Sequence, residues 1–422
     1  MLTARSRPRL RPVESIVVPD PRHGRVVVLR DTRGVTDAQA VLPPDLVPIV
    51  VRFTGRATCE TIATEVSHEL GRPVPIDVVV ALARELEEAL FLEGDTFERA
   101  LAAAVRAFRE SPVRAAAHAG GAYHADADEL RRYVDTSCLG ASGVRSHGAG
   151  PPIVALVAPH IDPWRGAVGY GHAYGALAHA LDDAVDTFVV FGTSHAPMEA
   201  PFALCKKAFA TPFGAMPADD DAIDDLAAAC RFDPWADTYN HVREHSIEFQ
   251  AVFLRHLLGP REARIVPVLA GLGKHQARGT DPARDADVER FFDAVKELRA
   301  SRPGRVVVVA GADFAHVGPR FGDPNPFDAT ARKKLERTDR TSLRFAERVD
   351  AGAFWDHVAR DLDARRVCGL GPVYSMLRSL EGDGALPSGE TLHYEQTVDA
   401  DDGSIVSHAA IAFRDARDGG VP

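Results

Sequence analysis

Three residues stand where metal chemistry could be done: His160, His195 and Cys368. His160 closes Val-Ala-Leu-Val-Ala-Pro-His (154–160), and His195 closes Phe-Val-Val-Phe-Gly-Thr-Ser-His (188–195). Cys368 lies in Arg-Arg-Val-Cys-Gly (365–369). Histidine is the commonest metal ligand, and a strand end can fix the ring direction that coordination requires. The His160 and His195 pair, expected on neighbouring strand ends, therefore points to a metal site. Cys368 follows two arginines, whose charge would favour the thiolate that a metal takes. Its bland alternative is a small buried hydrophobe, the usual fate of a free cysteine, and that is the expectation for Cys59, Cys138, Cys205 and Cys230.

Asp-Phe-Ala-His (313–316) follows the apolar run Val-Val-Val-Val-Ala-Gly-Ala (306–312). His316 suits proton transfer, because an imidazole titrates near neutrality, with Asp313 orienting it or replacing it at the site. The alternative is a helix start, with Asp313 as N-cap and His316 in the first turn. In Glu-His-Ser-Ile-Glu (244–248) the glutamates are four apart and share a helix face, while His245 points with Phe249. A solvated acidic face is expected for Glu244, and His245 and Glu248 are candidates to orient the ligands. The segment is neither His-Glu-x-x-His nor its inversion. Gly-Tyr-Gly-His-Ala-Tyr-Gly (169–175) lacks the spacing of a dinucleotide fingerprint. Gly-Thr-Ser-His-Ala (192–196) resembles a nucleophile elbow, which would make Ser194 a hydrolase nucleophile in a cramped triad with Asp313 and His316. Metal ligation is the preferred reading.

What must position these residues is a set of buried strands. Runs at 153–157, 188–191 and 305–310 each lead within a few residues to a histidine, and a fourth, 264–271, ends in glycine without one. Continuous apolar runs mark parallel strands buried on both faces, and ligands of open α/β sheets collect beyond the carboxyl ends of the strands. Helical stretches at 172–182, 219–230, 244–257 and 286–300 alternate with these runs. The alternation predicts an α/β domain over 113–414 with a mostly parallel sheet flanked by helices. Ahead of it, 13–97 reads as a small α/β unit. Its strands fall at 15–18 and 25–29, its helices after Pro44, near Thr58 and after Pro75, and a wing strand at 90–95. Val79, Leu82, Leu86 and Leu90 repeat at helical spacing in the third helix. An alanine-rich helix over 98–111 is expected to join the halves as a linker at 98–112.

At 422 residues, 45% hydrophobic and 26% charged, the composition suits one large and one smaller globular domain. No apolar run approaches the roughly 20 residues of a membrane span, so no membrane partner is expected. The basic start lacks the apolar core of a secretory signal and is expected to be a short loose tail, as is the Gly-Gly-Val-Pro end. Five cysteines without a Cys-x-x-Cys pair argue against a disulfide framework or zinc knuckle and for a cytoplasmic compartment. A net charge of −11 offers no drive toward nucleic acid.

Five ordered motifs resemble the Memo family, which in bacteria and archaea supplies protein B of the AmmeMemoRadiSam system. They are Ala-Pro-His (158–160), Ser-His (194–195), Glu-His-Ser-Ile-Glu (244–248), Asp-Phe-Ala-His (313–316) followed by Gly-Pro-Arg-Phe, and Val-Cys-Gly (367–369). The resemblance runs from Ala-His-Ala-Gly-Gly-Ala-Tyr (117–123) through His-Ala-Tyr (172–174) to Ser-His-Ala-Ala-Ile-Ala-Phe (407–413). It implies the LigB-like fold of the class III extradiol dioxygenases, whose iron is held by two histidines and a carboxylate, with a cysteine in the carboxylate's place in Memo proteins. By that resemblance His160, His195 and Cys368 are the metal ligands, and His316 is the acid/base residue with Asp313, His245 and Glu248 around it. A facial triad with open positions suits Fe(II) and oxygen, and a thiolate also suits reduced copper. A metal-dependent, dioxygenase-like oxidoreductase is implied.

The Val-Leu-Pro-Pro-Asp entry (41–45) and the Phe-Thr-Gly-Arg-Ala-Thr turn (53–58) resemble PqqD-like winged-helix domains. That likeness implies a peptide strand added to the edge of the small sheet. A second reading follows: a non-catalytic scaffold that grips a peptide or a partner such as a radical-SAM enzyme. The chain departs from the Memo pattern at three places. Ile161, Asp162 and Pro163 replace Ala-Gly-Tyr, which puts an extra carboxylate beside the pocket; Ala196 replaces a second histidine; Leu370 and Gly371 replace an arginine and a histidine.

Overall fold

The computed structural model describes residues 2–143, 151–382 and 385–415, and the chain divides into two units, Met1–Ser111 and Pro112–Pro422. The Gly-Gly-Val-Pro end, expected as a loose tail, lies outside the described residues.

The first unit opens with an antiparallel sheet of β1 (Glu14–Asp20), β2 (Gly24–Arg30) and β3 (Gln39–Leu42), in that order. Four helices follow: α1 (Val47–Val50), α2 (Cys59–Leu70), α3 (Ile76–Glu88) and α4 (Asp95–Glu110). The Thr58 hydroxyl caps α2 by accepting from the Thr61 amide. Val79, Leu82 and Leu86 of α3 share one core with Ile62 and Val66 of α2 and with Leu29 and Leu42 of the sheet.

Several expectations are corrected here. Strand β3 escaped the sequence reading because its four residues are too short for an alternation to show. The wing strand at 90–95 is a single bridge from Leu92 to Leu10, since Leu90 turns the chain with φ 66° and a new helix starts at Asp95. The basic start is no loose tail, for Arg11 is buried in an ion pair with Asp31 at 2.8 Å. The helix expected as a linker over 98–112 is α4, which lies inside the first unit.

The second unit begins with β4 (Val113–Arg114), α5 (Ala127–Tyr133) and a π-helical turn at Val134–Leu139. It continues through β5 (Ile153–Ala158), α6 (Pro163–Ala180), β6 (Val185–Thr193), β7 (Phe202–Leu204), β8 (Ala208–Phe209), α7 (Asp220–Ala229), α8 (His245–Leu258), β9 (Arg264–Ala270) and α9 (Gly273–Arg278). Then come α10 (Ala286–Ser301), β10 (Arg305–Gly311), β11 (Asp313–Val317), α11 (Ala329–Glu347), α12 (Ala351–Ala359), α13 (Leu370–Leu380), β12 (Ser388–Val398) and β13 (Ile405–Arg414). Helix starts are set by acidic caps: Asp162 for α6, Asp219 for α7, Glu244 for α8 and Asp285 for α10. Helix α6 starts at Pro163, well before the 172 expected, because proline is preorganised for a first turn behind such a cap.

The eight-stranded sheet has the order β11-β13-β5-β10-β6-β9-β7, with β12 on β13. Strands β5, β10, β6 and β9 are parallel, the arrangement their unbroken apolar runs call for. Strands β7, β11, β12 and β13 run antiparallel to their neighbours, so the sheet is mixed around a parallel centre. Connection length decides this at the C-terminal end: residues 399–404 join β12 to β13, too short a link for the crossover a parallel pair needs. Strand β10 lies between β5 and β6, so His160 and His195 do not come from neighbouring strands as expected. They meet beyond the carboxyl ends instead.

Candidate metal centre

His160 follows β5 by two residues, and its backbone is fixed by donation of the His160 N–H to Asp313 Oδ1 at 2.9 Å. Its Nδ1 stands 3.0 Å from the Gly311 carbonyl, which can only accept, so Nδ1 carries the proton and Nε2 turns toward Cys368 Sγ at 3.1 Å. His195 follows β6 by two residues. Its N–H donates to Glu244 Oε2 at 3.0 Å, and its Nδ1 lies 3.0 and 3.1 Å from the two Glu244 oxygens. Cys368 is pinned by its own carbonyl, which accepts from the Thr193 hydroxyl at 2.9 Å. One ligand atom from each of His160, His195 and Cys368 falls within 4.8 Å of the others. Two imidazoles whose second nitrogens are each held by an oxygen, together with a thiolate, fit a first-row transition metal of intermediate or soft character.

Asp313 and His316 lie on strand β11, which excludes the helix-cap alternative. Asp313 is buried, holds the His160 amide, and sets Oδ2 3.8 Å from His160 Nε2. His316 Nδ1 stands 3.2 Å from the Phe314 carbonyl, with Phe321 edge-on to the ring at 5.1 Å. His245 stacks on His195 at 4.7 Å and meets His160 edge-on at 5.3 Å. Asp313, His245 and His316 are thus gathered round the three candidate ligands.

Glu248 is not. Its fully buried carboxylate is taken up by Arg114, by the Tyr123 hydroxyl at 2.5 Å, and by the amides of Ala117 and His118 at 3.1 and 2.9 Å. It anchors segment 114–123, whose His118 ring lies 5.6 Å from that of His245.

Glu244 reverses its expectation. It is buried, not a solvated face, because it caps α8 through the Ser246 amide at 2.9 Å and clamps His195 at the same time. The sequence reading put Glu244 inside the helical stretch 244–257, whereas it stands before the helix as its cap. Asp162, expected as an extra carboxylate in the pocket, caps α6 and pairs with Arg165 at 2.5 Å. The Ser194 hydroxyl donates to the Ala196 carbonyl at 2.8 Å, and among the described residues it is bonded to no histidine that would activate a nucleophile. Cys59, Cys138 and Cys205 are buried free thiols, as expected of small hydrophobes, and Cys230 is half-buried.

The charges are strongly coupled. Burial pushes the Cys368 thiol up, but the neighbouring His160 and His316 and the hydrogen bonds from His160 and His195 outweigh it and hold the group well below the usual thiol range. Burial lowers His160, yet Cys368 and Asp313 push it up to about 9. Loss of water likewise opposes the charge on His195, but Glu244 and Cys368 hold it well above the usual imidazole range. For His245 burial wins, and it stays well below that range even with Glu244 beside it. His316 is raised, because Cys368 and Asp313 overcome its burial.

A cavity of about 610 Å³ opens beside His195 and Cys368. Its wall includes His195 and Cys368, the apolar Met198, Leu272 and Leu370, and Lys274. It lies at the ends of β6 and β9, where crevices of α/β sheets receive ligands.

A family model described as Memo-like protein matches residues 114–412. A MEMO1 family protein of Aquifex aeolicus is 24% identical over 392 residues, covering 93% of this chain and 96% of the relative. A MEMO1 family protein of Methanopyrus kandleri is 28% identical over 308 residues, covering 71% of this chain and 99% of the relative. The protein memo-1 homolog of Caenorhabditis elegans is 28% identical over 279 residues, covering 64% of this chain and 71% of the relative.

Proposed function

The chain belongs to the Memo-like family, and from that premise we propose that its second unit is a metal-dependent redox centre with Fe(II) held by His160, His195 and Cys368. One observation carries this reading: each histidine has its Nδ1 held by an oxygen, and the donor atoms of all three residues converge within 4.8 Å. Bound Fe(II) would supply open coordination positions and one-electron chemistry of the kind used by class III extradiol dioxygenases, whose LigB-like fold this reading assigns to the second unit. The thiolate also admits reduced copper.

The chain's own residues do the rest. Glu244 and the Gly311 carbonyl orient the two rings, Asp313 fixes the backbone of His160, and the cavity at Met198 and Leu272 receives a substrate. His316 holds or releases a proton beside Cys368, and His245, whose charged form burial disfavours, is placed beside His195 to accept one.

In this reading the chain is protein B of an AmmeMemoRadiSam system, with a radical-SAM enzyme as partner. The first unit is a PqqD-like module, its wing reduced to the Leu10–Leu92 bridge, that takes a peptide strand. Strands β1 and β3 are both sheet edges, and Val17 and Val41 on them are exposed, which supports strand addition. The same edges favour the second reading, a scaffold that grips a peptide and does no chemistry. Among the described residues no helix is long and apolar enough to cross a membrane. Five free cysteines support a reducing, cytoplasmic compartment.

Anaerobic loading with Fe(II) tests the centre. Stoichiometric iron is expected in the wild type and lost in His195→Ala and Cys368→Ala, with oxygen consumed by the wild type alone. Unchanged iron content in Cys368→Ala would overturn the ligand set, and iron bound without oxygen uptake would favour the scaffold.

A further inference from the structure

We propose that Arg365 and Asp339 are positioning residues for the Cys368 ligand, because they hold a turn that folds against its own backbone preference. The inference rests on Cys368 being a metal ligand. Within residues 361–367, Leu362, Asp363 and Arg366 have φ of 52°, 61° and 48°. Side chains with a Cβ disfavour that left-handed region. Such a conformation persists only where its surroundings over-determine it.

The main restraint is the buried Arg365. Its Nε donates to Asp361 at 2.6 Å, and its Nη1 donates to Asp339 at 2.8 Å and to the Ser342 hydroxyl at 3.3 Å. Asp339 is itself wholly buried on α11, and accepts from the Tyr394 hydroxyl at 2.9 Å and the Ser407 hydroxyl at 2.7 Å. The turn is thereby tied through α11 to β12 and β13. The Arg365 carbonyl accepts from the His316 N–H at 2.7 Å, which sets the turn against β11. Arg366 adds a two-pronged bond to Asp323 at 3.0 and 3.1 Å. On the far side of the ligand, the Gly369 N–H donates to the Asp313 carbonyl at 3.0 Å. The backbone carrying the thiolate is gripped before and after Cys368.

Stability alone does not account for a guanidinium in this place. Arg365 and Asp339 are a buried ion pair, and taking both charges out of water is costly. Apolar side chains of similar volume commonly stabilise such a position as well or better. A planar fork joined to two carboxylates fixes direction, which is what a ligand turn requires.

The test is a Co(II) titration of the full-length chain under anaerobic conditions. It reads the sulfur-to-cobalt charge-transfer band, with affinity from chelator competition and a thermal melt to confirm folding. Arg365→Met and Asp339→Asn are expected to weaken the band and lower affinity by about 10–100-fold, the range for groups that orient metal ligands. Arg365→Lys should recover only part, since an ammonium keeps the charge and loses the fork. Asp339→Asn keeps the shape of the side chain and carries the test where Arg365→Met does not fold. Band and affinity equal to the wild type in the folded variants overturn the proposal. A wild type that shows no thiolate band at all overturns the metal reading first and this inference with it, so the two failures are told apart by the wild type alone.

Discussion

At the scale of single residues the centre depends on which nitrogen each histidine presents, and two glutamates four residues apart divide the labour. Glu244 clamps His195 Nδ1, whereas Glu248 neutralises the buried Arg114. Glu244→Gln is therefore expected to lower metal affinity about 10–100-fold while the fold survives, as measured by chelator competition. Glu248→Gln should instead cost about 3–5 kcal/mol of stability, because it strands a buried guanidinium, and a urea melt reads that loss. Equal effects of the two substitutions on metal affinity would contradict this division.

Proton linkage belongs to the same scale. His160 is pushed up to about 9, so below that pH it keeps a proton that ligation must remove. Cys368 is held well below the usual thiol range by the histidines around it, which favours its thiolate and lessens its part in that requirement. His195 is held well above the usual imidazole range as well, so metal affinity should climb as pH rises above neutrality, and a flat profile from neutrality upward would be the contrary result.

At the scale of elements, caps and short turns fix where side chains arrive. Helix α8 begins at His245 because Glu244 caps it, and the same carboxylate reaches back to His195, so helix start and the orientation of the His195 ring are one event. In the first unit the residues between β2 and β3 are organised by Asp31, which accepts from the amides of Arg33, Val35 and Thr36 and from Arg11. Burial raises Asp31, but these amides and Arg11 outweigh it and hold the carboxyl below its ordinary value of 3.8. A depressed carboxyl stabilises the fold above that ordinary value and ceases to do so as pH falls through the folded one. The first unit should accordingly lose stability on acidification below pH 3.8. Asp31→Ala should remove about 3–5 kcal/mol at neutral pH and abolish that part of the acid dependence, as followed by circular dichroism.

At the scale of the whole molecule, the two units each close a hydrophobic core of their own. The Methanopyrus relative is matched along 99% of its length by 71% of this chain. Residues 112–422 expressed without the first unit are therefore expected to fold and to bind the same stoichiometry of metal as the full chain. Loss of metal on truncation would assign the first unit a part in building the centre.

How much was legible in the sequence follows from which interactions are local. The four central strands could be read because burial on both faces forces unbroken apolar runs, and the candidate ligands His160 and His195 could be read because they sit just beyond two of those runs. Short-range signals such as Thr58 before α2 were readable for the same reason. The sequence by itself thus determined an α/β second unit and the identities of His160, His195 and Cys368 as candidates. Only the tertiary structure decided the strand order, which puts β10 between the two histidine strands, and the antiparallel flanks, because pairing partners far apart in the chain leave no local pattern. It alone decided that Glu244 is buried and Glu248 lies apart, since the two share a helical spacing and differ only in what the rest of the chain brings to them: His195 from β6 in one case, Arg114 from β4 in the other.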